Sequence, residues 1–257
     1  MSRYNRYTGE DYRKILAIYA DCGSINHTAR LTKYPRTTVN RIIKKYETVE
    51  QLEALYDFES DLPLVTRIQQ NQDMQLHYAY VLGLYLGDGH ISKTNSHRAE
   101  RVMIFLDKAY PNIIKRCEKS LGIVFPNNEV GIVDKKTFVY VNCYSQQLPE
   151  LFPQHGEGKK HDRDIILEEW QERIVDAYPL EFFRGLYHSD GSRAQNIVKG
   201  KNYPRYMFSN YSDDIRKLFT DTAEKLGLTW TTANARNVAI SRREDVAWLD
   251  EHIGEKS

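Results

Sequence analysis

Two aspartates end two similar apolar segments of the sequence. Asp88 stands near the end of residues 80–89, YVLGLYLGDG, and Asp190 stands near the end of residues 182–191, FFRGLYHSDG. Each segment predicts an apolar helix of about three turns that ends in Asp-Gly. A carboxylate at an exposed helix C-terminus meets the negative end of the helix dipole, which disfavours it by about 0.3–1 kcal/mol. Two copies of this unfavourable placement indicate a chemical role rather than two ordinary turns.

Small residues recur four positions apart in both segments, Gly83 with Gly87 and Gly185 with Ser189. This spacing leaves one flat side on each helix, so the two backbones can pack closely. Close packing would bring the two carboxylates together, and a divalent cation between them would relieve the repulsion. The pattern therefore predicts a metal site. Each motif ends in a glycine, Gly89 or Gly191. Glycine is the residue that commonly follows a helix C-terminus.

The sequence around the two aspartates is duplicated. The offset between equivalent segments stays near 100 residues, and it is 102 between the aspartates themselves (190 minus 88). Each copy predicts helix, strand, strand, helix, strand, strand, helix. This internal repeat predicts an α+β fold with a pseudo-twofold axis. The paired segments after the motifs are 102–105 with 206–208, 113–120 with 215–225, 138–141 with 237–240, and 146–152 with 245–252.

The N-terminal segment predicts a separate basic helical module. Thr8 and Ser24 can cap two helices, and Pro35 suits the first position of a third. Residues 1–46 carry ten Lys and Arg against three acids, a local charge of +7. Three short helices with a basic last helix resemble a helix-turn-helix unit over residues 8–46, whereas a small protein-interaction domain is the alternative. We expect the polar face of the last helix to contact DNA: Arg36, Thr37, Asn40, Arg41 and Lys44.

Composition and charge bound the remaining possibilities. Hydrophobic residues make up 41% of the 257 residues, which favours folded domains. No apolar run approaches the roughly 20 residues that span a bilayer, and the N-terminus resembles no secretory signal. Three widely spaced cysteines form no disulfide framework. We therefore expect a cytoplasmic, nucleoid-associated protein.

The patterns predict five regions along the chain. They are a helix-turn-helix module, an acidic helical linker with seven acids against one arginine, a first repeat, a polar linker between the repeats, and a second repeat. Their expected bounds are 1–46, 47–75, 76–153, 154–178 and 179–257.

Residues 76–256 resemble the LAGLIDADG homing endonucleases in their two-motif, single-chain form. The resemblance implies a monomer whose two antiparallel sheets grip duplex DNA, with the motif helices packed at the centre. It implies that Asp88 and Asp190 are catalytic, that each organises cleavage of one strand, and that the carbonyls of Gly87 and Ser189 add ligands to Mg²⁺, for which Mn²⁺ can substitute. Where an acidic residue is common in the family, this chain has Leu86 and His188. We interpret His188 as an interior histidine rather than a catalytic group.

Basic residues outside the motifs are candidates for two further roles. Four of them could polarise the water shell of a metal, and the sequence does not distinguish among them: Lys93, Arg98, Arg193 and Lys199. Those expected to contact DNA phosphates, with an ordinary solvated surface as the alternative, are Lys135, Lys136, Lys201, Arg205 and Arg236.

Two other functions stay open beside a metal-dependent endonuclease that makes double-strand breaks. A transcription regulator could use the same scaffold to bind DNA without cutting, because the helix-turn-helix unit suffices for binding. An RNA-splicing maturase could use the sheets to grip intron RNA. Both aspartates and both following glycines favour the nuclease.

Overall fold

The computed structural model describes residues 7–93, 99–254 and 256. The chain divides into two compact units, one ending at Pro63 and one beginning at Leu64. Within the described residues, no helix combines the length and the apolar character that crossing a membrane requires.

The first unit is helical and begins as the sequence predicts. The Thr8 hydroxyl accepts a hydrogen bond from the Asp11 amide while the Asp11 carboxylate accepts one from the Thr8 amide. Ser24 caps the second helix, and Gly23 ends the first with φ of 60°. The helices of this unit are α1 (Gly9–Cys22), α2 (Ile25–Thr32), α3 (Arg36–Tyr46), α4 (Val49–Leu55) and a 3₁₀ turn (Phe58–Asp61).

The core of the first unit differs from the expected pattern in three details. Pro35 precedes α3 instead of occupying its first position. On α2 the apolar Leu31 is 53% exposed, while the polar residues Thr28 and Thr32 are buried. Finally α4 packs against α1 and α3 through buried Leu52, so the predicted linker helix is part of this unit. The boundary between the units therefore falls inside residues 47–75.

The second unit opens with α5 (Leu64–Gln70) and then contains the first repeat. Its strands form one antiparallel sheet in the order β1-β2-β4-β3. The elements of this repeat are α6 (Gln72–Asp88), β1 (Gly89–Ser92), β2 (Glu100–Asp107), α7 (Pro111–Val124), β3 (Val130–Asp134), β4 (Phe138–Ser145) and α8 (Leu148–Leu151).

The second repeat follows a 3₁₀ turn (Lys160–Asp162) and α9 (Glu169–Ala177), and it builds an equivalent sheet. The order β5-β8-β10-β9 reproduces that of the first sheet, and a short hairpin, β6 with β7, is inserted. Its elements are α10 (Pro179–Asp190), β5 (Gly191–Ala194), β6 (Ile197–Val198), β7 (Lys201–Asn202), β8 (Arg205–Ser209), α11 (Asp213–Lys225), β9 (Thr231–Asn234), β10 (Asn237–Ile240) and α12 (Arg243–His252). The predicted pair of αββαββα repeats is confirmed.

Helices α6 and α10 form the centre of the second unit. Residues 78–86 of α6 are buried without interruption. A helix that is apolar on all sides needs neighbours on all sides, and α6 contacts α10, α7, α9 and the first sheet. The packing of this one pair joins the two repeats and sets the position of both aspartates.

Candidate active site

Glycines allow the backbones of α6 and α10 to touch. A Cβ atom on Gly83 would lie 2.5 Å from the Phe182 carbonyl oxygen and 2.7 Å from the Leu186 nitrogen. A Cβ atom on Gly185 would lie 3.0 Å from the Gly83 Cα. Backbone atoms cannot move aside as a flexible side chain can, so each of these positions requires glycine. The predicted flat sides therefore face each other.

The carboxylates of Asp88 and Asp190 come together at the C-terminal end of this helix pair. A Cβ atom on Gly87 would lie 2.7 Å from Asp190 Oδ2, so the Asp190 side chain reaches α6. Burial, and then the negative charge of Asp190, raise the pKa of Asp88 to about 6. Burial also raises the pKa of Asp190. The site is thus a partly desolvated pair of interacting anions.

Two lysines that the sequence reading missed compensate this charge. Lys160 Nζ donates hydrogen bonds to the carbonyl oxygens of Tyr85 and Gly87, the latter at 3.0 Å. Lys256 Nζ donates to the Ser189 carbonyl at 2.9 Å. Burial lowers the pKa of Lys160 to about 8 although both aspartates oppose that shift, and burial lowers the pKa of Lys256 in the same way. Two ammonium groups, and not only a divalent ion, can therefore offset the paired carboxylates.

The oxygen donors at this point suit a hard divalent cation. Two carboxylates and the carbonyls of Gly87 and Ser189 are the ligand types that Mg²⁺ and Mn²⁺ accept. Both carbonyls already receive an ammonium group, so they attract positive charge. Within the described ranges no group of three or more His, Cys, Asp or Glu side chains could hold a metal. The remaining ligands would come from water and a phosphate, as Mg²⁺ commonly retains.

The two aspartates differ in their side-chain partners. Asn210 Nδ2 donates a hydrogen bond of 2.7 Å to Asp190 Oδ2, which opposes the effect of burial on the Asp190 pKa. No described side chain donates to Asp88. Gly89 pairs with Ile104 and Gly191 pairs with Phe208. Two residues further along the chain, Leu106 of β2 is therefore the counterpart of Asn210, which directly follows β8. A cavity of about 400 Å³ opens beside Asp190 and Asn210.

The glycines after the aspartates are needed for space rather than for a left-handed turn. Gly89 and Gly191 have φ of −88° and −90° and extended backbones, so the helix-ending conformation commonly supplied by glycine is absent. A Cβ atom on Gly89 would lie 2.5 Å from the Tyr85 Cα, and one on Gly191 would lie 2.5 Å from the Tyr187 carbonyl oxygen. Each strand therefore leaves its helix too closely to accept a side chain.

His188 lies in the interior, as we interpreted it. Its Nδ1 is 2.9 Å from the Tyr80 hydroxyl, and the side chain is buried. Burial lowers the pKa of His188 to about 3, so the ring is neutral at pH 7. Its role is to join α10 to α6.

The other basic candidates are not brought to the aspartates. Arg193 forms a bidentate ion pair with Asp250, with bonds of 2.7 and 2.9 Å. Lys93 is exposed, and Lys199 is exposed on the β6–β7 turn. Arg98 lies outside the described residues. Lys159, Lys160 and Arg163 make the linker between the repeats basic, which is the sequence signal that could have pointed to Lys160, whereas no motif marked Lys256.

The predicted DNA-contacting side chains lie on outer surfaces of each unit. Lys135 and Lys136 are exposed between β3 and β4, Lys201 is exposed on β7, Arg205 is half-buried on β8, and Arg236 is exposed beside Tyr211, with its guanidinium 4.1 Å from the ring centroid. In the first unit the polar face of α3 is exposed except for half-buried Asn40. Its other members are Arg36, Thr37, Arg41 and Lys44.

The sequence reading also missed an aromatic and basic face on the first sheet. Arg101 donates a hydrogen bond of 3.0 Å to the Tyr144 hydroxyl and stacks over Tyr140, with 5.3 Å between its guanidinium and the ring centroid. Phe105 packs beside Tyr140 on the same face. Successive side chains of a β-strand point to opposite faces of the sheet, so every second residue of β2 and β4 lies on this aromatic and basic face.

Known proteins share this fold. No protein-family model matches the sequence. An uncharacterized protein of Methanocaldococcus jannaschii, MJ0398, is 24% identical over 184 residues, and the match covers 68% of this chain and 60% of that protein. Mesophilic variants of the homing endonuclease I-DmoI have a TM-score of 0.51 at 18% identity, covering 71% of this chain and 98% of theirs. I-DmoI in complex with DNA and Mn has a TM-score of 0.50 at 19% identity, with the same coverage. The second unit has a LAGLIDADG fold.

Proposed function

We propose that this protein is a monomeric, divalent-metal-dependent endonuclease that cuts both strands of duplex DNA at a long specific site. The observation that carries this proposal is the meeting of Asp88 and Asp190, with the carbonyls of Gly87 and Ser189, at one end of a helix pair. The fold itself does not require two carboxylates at this place, because each buried negative charge makes the folded state less stable.

The chain's own groups would divide the work of hydrolysis. Asp88, Asp190 and the two carbonyls would hold Mg²⁺ or Mn²⁺, which when bound lowers the pKa of a water ligand and offsets phosphate charge. Lys160 and Lys256 would turn from the carbonyls toward the phosphate or the water shell, where an ammonium group stabilises negative charge. Each aspartate would serve one strand, as the repeat symmetry suggests.

DNA contacts would come from both units. The outer face of the first sheet presents Arg101 among tyrosines, and the β3–β4 and β9–β10 turns present Lys135, Lys136 and Arg236, which suit phosphate contacts. I-DmoI, a protein of similar fold, forms a complex with DNA, which supports DNA as the partner. The exposed polar face of α3 would add a helix-turn-helix contact in a major groove. A DNA-bound protein of this kind would act in the cytoplasm at the nucleoid.

A randomised duplex library incubated with Mg²⁺ tests the proposal. Wild type should enrich one family of cut sites, and both strands of that site should be cut. Asp88→Asn and Asp190→Asn should each lower double-strand cutting by about a thousandfold, since a charged ligand is lost at a metal-assisted step. Arg193→Lys, away from the paired carboxylates, should retain cutting.

A DNA-binding regulator is the second candidate because Lys160 and Lys256 offset the aspartates without a metal. Specific binding of one site in Mg²⁺ without any strand cleavage would favour that function. Higher affinity for structured RNA than for any duplex would favour a maturase.

A further inference from the structure

A cavity of about 480 Å³ lies between α6, α7, α10 and the end of α12, and its lining includes Arg184 and His188 of α10. None of its lining residues borders the cavity beside Asp190. Four of the residues around it are permanently or ordinarily cationic: Lys115, Arg116, Lys119 and Arg184.

One carboxylate serves the two guanidinium groups of this cavity. Glu181 accepts from Arg116 at 2.5 Å and from Arg184 at 3.4 Å. The Arg184 side chain is only 12% exposed, and burial, together with the positive charge of Arg116, lowers its pKa although Glu181 opposes that shift. Two arginines that share one acid leave a positive charge that a partly desolvated site does not offset.

The lysines of the cavity add to this excess. Lys115 and Lys119 are exposed, lie one turn apart on α7, and have no carboxylate partner among the described residues. Two further acids lie nearby: Asp73 faces His77 at 3.7 Å and is largely exposed, and Glu118 of α7 is exposed and makes no ion pair with a described cation. Cations at positions i and i+4 repel each other on a helix surface, so this arrangement favours an external anion.

The equivalent helix of the second repeat has its charges paired within the protein. On α11, Arg216 pairs with Asp213, Lys217 pairs with Asp221 at 2.6 Å, and Lys225 pairs with Asp176. The uncompensated charge on α7 is therefore a property of one repeat and does not follow from the shared fold.

We propose that this cavity binds a phosphoryl-bearing anion. Guanidinium groups present paired N–H donors that match phosphate oxygens, while lysines add mobile positive charge. Buried Ile113 and largely buried Ile253 give an apolar wall on which a base or other ring could rest. The volume lies in the range of sites for nucleotide-sized ligands. The phosphoryl group could belong to a free nucleotide or oligophosphate, or to the phosphodiester backbone of a nucleic acid.

Isothermal titration of the full chain in EDTA, without divalent metal, tests this site. The probes are tripolyphosphate, ATP and a short single-stranded oligonucleotide. The cavity variant is Lys115→Glu/Lys119→Glu, which changes two exposed positions. The matched control is Lys217→Glu/Lys225→Glu on α11, and circular dichroism verifies folding of both.

Wild type and the α11 control should bind at least one probe equally, and the α7 variant should bind it at least tenfold more weakly. If ATP and tripolyphosphate bind at the α7 site and the oligonucleotide does not, the ligand is a free nucleotide or oligophosphate. If wild type binds the oligonucleotide, tripolyphosphate displaces it and the α7 variant does not bind it, the ligand is a phosphodiester. Failure of all three probes to bind wild type, or equal loss in the α7 and α11 variants, would overturn the proposal.

Discussion

The two repeats of the second unit share a sheet order and a helix contact, yet their aspartates have different surroundings. Asp190 receives a hydrogen bond from Asn210, whereas the equivalent strand position beside Asp88 is the buried Leu106. The outer helices differ as well, since α11 pairs its cations whereas Lys115 and Lys119 of α7 have no carboxylate partner in the described part of the chain. Duplication has thus retained the features that hold the aspartates together and altered the features that tune each half.

The largest expected effect comes from breaking the contact that the repeats share. Gly83→Ala and Gly185→Ala place a methyl group against backbone atoms of the opposite helix. Each should lower the free energy of unfolding by about 3 kcal/mol or more, at the upper end of the overpacking range. Urea denaturation measures this change.

Gly122→Ala is the matched control, because nothing lies within 4 Å of a Cβ atom at that position of α7. It should raise the free energy of unfolding by about 0.5–1 kcal/mol, since alanine favours a helix over glycine. Equal effects at positions 83, 185 and 122 would contradict close backbone packing.

Asp88→Asn should stabilise the metal-free protein at pH 7. The pKa of Asp88 is about 6 in the folded protein and 3.8 ordinarily, so the folded state binds more protons between these values. The wild-type free energy of unfolding therefore falls as pH rises from about 4 to 6. Asp88→Asn should remove that fall, which is worth about 2 kcal/mol after allowance for partial exposure.

The companion variant Asp190→Asn should stabilise less, because the hydrogen bond from Asn210 offsets part of the burial at Asp190. Denaturation of both variants and wild type at pH 4.5 and pH 7 makes the comparison. A larger gain from Asp190→Asn would reverse the assigned difference between the two halves.

Lys160→Met and Lys256→Met should separate metal binding from cleavage. Each removes a positive charge near the carboxylates, so Mn²⁺ should bind about tenfold more tightly, as about 1.4 kcal/mol of lost repulsion implies. Cleavage at saturating metal should nevertheless slow, because the ammonium group is missing. Weaker Mn²⁺ binding in both variants would show that the lysines only support the structure.

Asn210→Leu should make the two halves alike and has the smallest expected effect. Loss of one hydrogen bond to a carboxylate, about 1 kcal/mol, should slow cutting of one strand about fivefold. The other strand should be cut at the wild-type rate. End-labelled duplexes resolve the two strands, and equal slowing of both would show that Asn210 serves the whole site.

The sequence predicted the elements that repetition and side-chain spacing determine. Small residues four apart indicated the helix contact, and the 102-residue offset between the aspartates indicated two equivalent sheets. Both follow from local patterns that occur twice. The sequence alone therefore predicts the αββαββα order of each repeat.

The site's other members could not be found in this way. Lys160 and Lys256 reach the aspartates from 72 and 66 residues further along the chain, in segments without a repeated motif. Asn210 follows a strand whose register only the folded sheet defines. Gly89 and Gly191 follow their helices as expected, but only the structure shows that Tyr85 and Tyr187, rather than a turn, determine the space there.

Mn²⁺ binding to the free protein, followed by electron paramagnetic resonance, tests the central claim most directly. Wild type should bind Mn²⁺, Asp88→Asn/Asp190→Asn should lose that binding, and Asp213→Asn/Asp221→Asn on α11 should retain it. Undiminished Mn²⁺ binding by Asp88→Asn/Asp190→Asn, or none by wild type, would contradict a divalent-metal site at the paired aspartates.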